Sequence, residues 1–266
     1  MFGNLTPIVK NLLLLNIGIF FVQFLIPGIN LIEVLGLRYF GSGEFRPWQF
    51  VTHLFMHAGL WHLFGNMFAL FIFGPLLERV WGGQRFLAFY LITGLGASLL
   101  YSAVTFYDLN QLESDASAYL ENPSPAAFNQ FINEHASFAY QDRNFYDFIN
   151  QYEKNPDNST YIRQSKADVR LVVNRKIDVP LVGASGAVFG ILMAFGMLFP
   201  NTELFLLFLP IPIKAKYFVA LYGAYELWAG FGRMPGDNVA HFAHLGGMLF
   251  AFILVKIWQK QNTRFY

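Results

Sequence analysis

Gly183-Ala184-Ser185-Gly186-Ala187-Val188-Phe189-Gly190 opens one apolar segment of the chain, and Ala243-His244-Leu245-Gly246-Gly247 lies near the start of another. Each puts a reactive side chain, a hydroxyl or an imidazole, inside a stretch of membrane length. Polar groups are costly in hydrocarbon, and a titratable one within a span marks a functional site by default. A serine with a histidine to take its proton is the minimal apparatus of nucleophilic hydrolysis. Together the two motifs point to a serine hydrolase working within a bilayer.

The composition agrees with a membrane setting. The chain is 55% hydrophobic with a mean hydropathy of +0.39, and 13% of its residues are charged, against about 25% in soluble domains. This implies an all-α polytopic membrane protein. The net charge of +1 removes any bulk electrostatic case for a nucleic-acid partner. With no cysteine in the sequence, disulfides, thiolate metal sites and cysteine nucleophiles drop out together. No cofactor is expected. The apolar run from Leu12 to Pro27 is followed by no small-residue cleavage site, so it is expected to be a retained span and not a cleaved signal peptide.

Six spans are expected, at about 9–27, 54–76, 86–107, 182–200, 216–231 and 238–258. Most are long enough for a core of roughly 30 Å at ~1.5 Å per residue, the fifth being short. Between the third and fourth lies different sequence, about Asp108 to Asp178, holding eleven of the seventeen acidic and seven of the eighteen basic residues. It cannot enter lipid. Phe128, Phe131, Phe138, Tyr140, Phe145, Phe148 and Tyr152 punctuate it, which predicts short amphipathic helices in preference to a disordered linker. The expected division is residues 1–107 (spans one to three with the first loop), 108–180 (the insert) and 181–266 (spans four to six).

Cations near the span ends set the orientation. Lys10, Arg79, Arg85, Lys214, Lys216, Lys256, Lys260 and Arg264 fall on one side, and Arg38, Arg46 and Arg233 on the other. The positive-inside rule then puts both termini in the cytoplasm and the insert outside, in what is expected to be a bacterial inner membrane. Spans two, four and six run inward from the outer face. Ser185 is about three residues into span four and His244 about six into span six, so both fall within roughly 5–10 Å of the outer boundary. Gly186 and Gly190 on span four, with Ala243, Gly247 and Ala251 on span six, form small-residue faces that let helices approach closely. Packing alone accounts for such faces; a serine and a histidine at their outer ends do not follow from packing.

Span two adds His53, His57, His62 and Asn66. His62 and Asn66, four apart, share one helical face and can donate hydrogen bonds to the carbonyl oxygen of an acyl-transfer reaction. The Ser185 N–H, at the positive end of its helix, is a further donor. His53 and His57 also stand four apart, but zinc hydrolases of that pattern need a Glu after the first His. Leu54, Phe55 and Met56 intervene here, so no metal is expected. Ser98 sits mid-span with Ser102 and reads as back-bonding to helix carbonyls. His241 competes with His244 as base, and the deeper His244, flanked by small residues, is preferred. Asp237 is at the surface end of span six and Glu226 is in span five, so a dyad is expected and not a triad.

These motifs, with His57…His62…Asn66, Trp48, and Gly74-Pro75-Leu76-Leu77-Glu78 through Gly82, resemble the rhomboid family of intramembrane serine proteases. The resemblance implies a six-helix bundle, a Ser185–His244 dyad and an oxyanion hole of His62, Asn66 and the Ser185 amide. His57, Gly183, Gly186, Phe189 and Gly247 act in support. It implies cleavage of single-span membrane proteins near the outer end of their helix, and a lateral gate at the short fifth span. Gln49 stands where an arginine is frequent, and Phe189 where many members have tyrosine; a phenylalanine still stacks on imidazole. Two rival classes use the same residues differently. A catalytically inactive rhomboid-like factor binds spans without cutting them, and a polytopic transporter uses buried polar groups as a pathway.

Overall fold

The structure, a computed structural model, describes residues 5–25, 28, 30–206, 209–232, 237 and 239–262. Pro27 and Asn238, at the ends of two expected spans, and the orienting cations Arg233 and Arg264 lie outside the described residues. The order is α1 (Pro7–Leu25), α2 (Leu31–Leu35), α3 (Gln49–Thr52), α4 (Leu60–Trp81), α5 (Gly83–Glu121), α6 (Pro125–His135), α7 (Arg143–Lys154) and α8 (Ser159–Ile177). Then come α9 (Ser185–Leu198), β1 (Glu203–Leu206), β2 (Leu209–Lys214), α10 (Ala215–Gly232) and α11 (His241–Asn262).

Six helices match the six expected spans and make an all-α membrane bundle. Leu60–Trp81, Gly83–Glu121 and His241–Gln261 are long and apolar enough to cross a membrane, and Pro7–Gln23 and Ser185–Leu198 are shorter apolar helices. The short α9 is the centre. It is apolar all round, and ten of its fourteen residues are buried, as expected of a helix enclosed by others. Fourteen residues make a helix of only ~21 Å at ~1.5 Å per residue, which cannot fill a ~30 Å core. An end of α9 therefore falls inside the hydrocarbon depth.

Small residues bring α9, α11 and α5 into backbone contact. A Cβ on Gly247 would lie 1.8 Å from the Gly186 carbonyl oxygen, and one on Gly186 would lie 2.4 Å from Ala97 Cβ. At Gly190 it would meet Thr93 Cβ at 2.8 Å. Without such close approach, the van der Waals packing that drives helix association in lipid is lost.

The bundle has two recognisable ends. At one, the buried Glu78 carboxylate accepts from Thr6 Oγ1 (2.5 Å), Ile8 N (3.0 Å) and Val9 N (2.9 Å). The two N–H groups, at the start of α1, have no intrahelical partner. Trp81 and Trp258 meet there at 5.2 Å, so the start of α1, the α4–α5 turn and the end of α11 lie together. Lys10, Arg79 and Arg85 are carried on these same segments. At the other end, Leu37 and Leu181 pair through two backbone hydrogen bonds of 2.9 and 2.8 Å, tying the first loop to the chain entering α9.

Expected span two, 54–76, begins as a helix only at Leu60 and runs to Trp81, so His53 and His57 lie ahead of α4. Two further elements differ from the sequence expectation. The third helix does not stop near residue 107 but runs unbroken to Glu121. Leu109, Leu112, Ala116 and Tyr119 keep the 3.6-residue period beyond the apolar stretch, so the change of composition marks a boundary of environment and not of helix. The second is an antiparallel hairpin between α9 and α10, pairing Glu203 with Lys214 and Leu204 with Ile213. Pro210 and Pro212 exclude helix there and are tolerated in an edge strand.

The insert folds around its own core. Leu112, Phe128, Ile132, Tyr152 and Val169 are buried together, and Tyr119 OH bonds to Ser165 Oγ at 2.5 Å. Each insert helix opens on a side-chain cap: Ser124 accepts from Ala127 N, Asp142 from Asn144 N and Asn158 from Thr160 N. The amphipathic reading holds for most of its aromatics, but Phe138 is exposed.

Candidate active site

Ser185 is the first residue of α9 and partly exposed. Its N–H and those of Gly186 and Ala187 point out of the helix start without intrahelical acceptors, where the helix dipole is positive. Two strained or crowded steps deliver the chain to this point. Gly183 N–H donates to the His53 carbonyl at 2.9 Å, and Gly183 itself has φ +120°, a conformation closed to side-chain-bearing residues. A small cavity beside Ser185 is lined by His53, Gly94, Ala97, Ser98, Gly183 and Ala243, among others.

α4 carries His62 and Asn66 to the same point. A Cβ on Gly183 would lie 2.6 Å from His62 Nε2 and 3.8 Å from Asn66 Nδ2, so both side chains face the turn two residues before Ser185. Ala58 N–H donates to His62 Nδ1 at 3.5 Å. In a neutral imidazole one nitrogen accepts and the other donates, so Nε2 carries the proton and faces Gly183 as a donor. Asn66 Nδ2 is buried without a partner among the described residues. His57 is buried against His62, ring centroids 5.1 Å apart, while His53 Nδ1 bonds the Gln49 carbonyl at 2.7 Å. Ser98 Oγ donates to Leu95 O at 2.9 Å, in keeping with back-bonding.

His244 is the fourth residue of α11, and its ring lies flat on Phe189, with centroids 4.0 Å apart and an interplanar angle of 7°. Phe189 is one turn along α9 from Ser185, so His244 covers the helical face that carries the serine. Its other contact departs from the sequence expectation. His244 Nδ1 lies 2.9 Å from Glu226 Oε2, and His241 Nδ1 lies 2.6 Å from the same oxygen. A carboxylate is therefore at active depth, on the face of α10 turned to α11. His241 Nε2 meets Asp237 Oδ2 at 2.9 Å. An ionised carboxylate only accepts, so both His241 nitrogens are occupied as donors, whereas His244, among the described residues, commits only Nδ1 and keeps Nε2.

Glu226, His241 and His244 also offer three ligand atoms within 4.8 Å of one another. Two ligands of one tetrahedral zinc at ~2.0–2.2 Å stand about 3.3 Å or more apart. The 2.6 and 2.9 Å separations here are hydrogen bonds.

Comparison with known proteins decides the family. A family model described as the Rhomboid domain matches residues 44–110 and 161–261, more than half of the chain. The chain belongs to the rhomboid family. It is 29% identical over 117 residues to rhomboid protease AarA of Providencia stuartii, covering 41% of this chain and 42% of that protein. To putative rhomboid protease YdcA of Bacillus subtilis it is 32% identical over 98 residues, covering 35% and 48%. RHOMBOID-like protein 12, mitochondrial, of Arabidopsis thaliana is 25% identical over 267 residues, covering 97% of this chain and 60% of its own length. The chain thus spans less than two thirds of each of these relatives. The matched segments of this rhomboid leave out 111–160, most of the separately folded insert.

At the position where the motif often has an arginine, this rhomboid uses Gln49 as the hub of the first loop. Gln49 is buried; its Oε1 accepts from Arg38 N (3.3 Å) and Arg46 N (3.0 Å), and its Nε2 donates to Val34 O and Glu44 O, both at 3.2 Å. Four backbone groups of one loop converge on a single neutral amide, a role open to Gln because it both donates and accepts.

Proposed function

We propose that this rhomboid is an intramembrane serine endopeptidase that cuts single-span membrane proteins near the extracytoplasmic end of their transmembrane helix. The observation that carries the reading is the convergence, at the N-terminus of α9, of Ser185 with the side-chain donors His62 and Asn66 beside Gly183. Ser185 Oγ attacks the scissile carbonyl carbon as its proton passes to His244 Nε2. The developing oxyanion is held by the Ser185 N–H, His62 Nε2–H and Asn66 Nδ2–H. As the acyl-enzyme forms and the peptide C–N bond breaks, His244 returns the proton to the leaving amine. Water, activated by the same nitrogen, then releases the acyl group and regenerates Ser185. Two relatives named as rhomboid proteases support this class of chemistry.

We place both termini on the cation-rich side, with Lys10, Arg79 and Arg85, and the insert on the side of Ser185. The substrates are membrane proteins, and α10, with Tyr222, Tyr225 and Trp228 along it, is the flank by which a substrate helix enters from the bilayer.

Two results test the reading. His62→Ala and Asn66→Ala should each lower kcat by about 10²–10³-fold with much less effect on KM, because oxyanion donors act mainly in the transition state. The measurement is steady-state cleavage of a single-span substrate in detergent; a rise in KM alone contradicts the donor role. EDTA in the same assay should leave the rate unchanged, and chelator sensitivity would return the histidine–glutamate group to a metal-binding reading.

The insert is proposed to govern access and not bond cleavage, since every group named above lies outside it. It touches the first loop through Arg38 Nη1, which donates to Asp178 O at 2.8 Å, and just ahead of it Phe106 of span three stacks on Phe40 at 5.3 Å. Replacing residues 109–177 by a Gly/Ser linker keeps both contacts and should preserve fluorophosphonate labelling of Ser185 while changing the rate on full membrane substrates. Loss of labelling in a stably inserted variant would show that the insert holds the site together.

A further inference from the structure

We infer that Glu226 is a positioning residue for catalysis, selecting the one orientation of His244 in which Nε2 can take the Ser185 proton. This rests on the serine-protease reading above.

Glu226 is 2% exposed on an apolar helix, and burying a charge without partners is too costly for a residue with no task. Its partners are two imidazole N–H groups converging on one oxygen, from His244 at 2.9 Å and His241 at 2.6 Å. Asp237 closes the network through His241 Nε2 at 2.9 Å.

Stacking alone does not orient the base. Phe189 holds the His244 ring plane, 7° from parallel at 4.0 Å. A half-turn about Cβ–Cγ leaves that plane unchanged while exchanging Nδ1 with Cδ2 and redirecting Nε2. A hydrogen bond from Nδ1 to Glu226 separates the two states, because the flipped ring offers the carboxylate only a carbon. The same bond fixes the tautomer: with the proton on Nδ1, Nε2 bears the lone pair that general-base catalysis requires. Phe189 sets the plane and Glu226 sets the flip and the proton. His241, both of whose nitrogens face carboxylates, gives the same Glu226 oxygen a second donor.

The bland reading is that Glu226 merely pins α10 to α11. Steady-state kinetics and fluorophosphonate labelling of the full chain in detergent separate the two. Glu226→Gln keeps the shape but exchanges one acceptor for a donor. It should lower kcat by about 10²–10⁴-fold, the range positioned acid–base groups contribute, with KM nearly unchanged and Ser185 labelling slowed in parallel. His241→Gln, which breaks the same inter-helix contact but leaves His244 its acceptor, should lose much less. Wild-type kcat in Glu226→Gln, or equal losses in the two variants, would overturn the inference. If Glu226→Gln also lowers Tm, its effect in a His244→Ala background decides: groups acting as a unit are non-additive, so no further slowing of labelling is expected. A further loss there marks a structural role. Ser185→Ala is the control for the underlying reading: labelling that survives it removes the protease assignment itself, whereas a clean Ser185→Ala result with a fully active Glu226→Gln removes only the inference.

Discussion

Ser185→Ala should lower cleavage of a single-span substrate to the uncatalysed background, a loss on the order of 10⁶-fold by analogy with other serine hydrolases stripped of their nucleophile. The fold should not notice. Ser185 is not the side-chain cap of α9, whose N-cap is Ala184, and the substitution removes one oxygen from a partly exposed position. Alanine keeps the backbone N–H proposed as an oxyanion donor and keeps the Gly186–Gly247 contact intact. Binding of substrate should therefore persist while turnover is lost, and Tm should stay near that of the wild type. Turnover near the wild-type rate would remove Ser185 from the chemistry.

His244→Ala should produce a comparable loss, and His241→Ala a far smaller one. The two histidines are one helical turn apart and bond the same carboxylate oxygen, yet their second nitrogens differ. His241 Nε2 is engaged by Asp237 at 2.9 Å and has no lone pair to offer a serine proton. His244 is the ring stacked on Phe189, one turn from Ser185. Without it the hydroxyl stays protonated and is a poor nucleophile. Rates for the two variants on one substrate check this, and reversed ranks would exchange the base.

The parts of this arrangement legible in sequence are those fixed by spacing. Ser185 and His244 share a depth because two spans run the same way, and Gly186 with Gly247 announced a close crossing that becomes a backbone contact. His62 and Asn66 read as one face because four residues make about one turn. Glu226 was not legible as a partner, since the rotation of α10 about its axis is set by packing against α9 and α11 and leaves little mark on an almost uniformly apolar helix. The available signal was its mere presence, an ionisable residue in an apolar span. The continuation of α5 to Glu121 was hidden for a related reason: polarity reports where lipid ends, while helices end at caps and breakers, and none intervenes before Asn122. Gln49 as a loop hub depends on four backbone groups brought together from residues 34 to 46, which no local pattern reveals.

The most direct test is to map, by peptide mass spectrometry, the adduct that a fluorophosphonate forms with the full chain in detergent. A single adduct on Ser185, absent in Ser185→Ala and strongly slowed in His244→Ala, is the expected result. An adduct on Ser98 or any other hydroxyl, or a wild-type chain that cleaves a membrane substrate while Ser185 stays unlabelled, would contradict it.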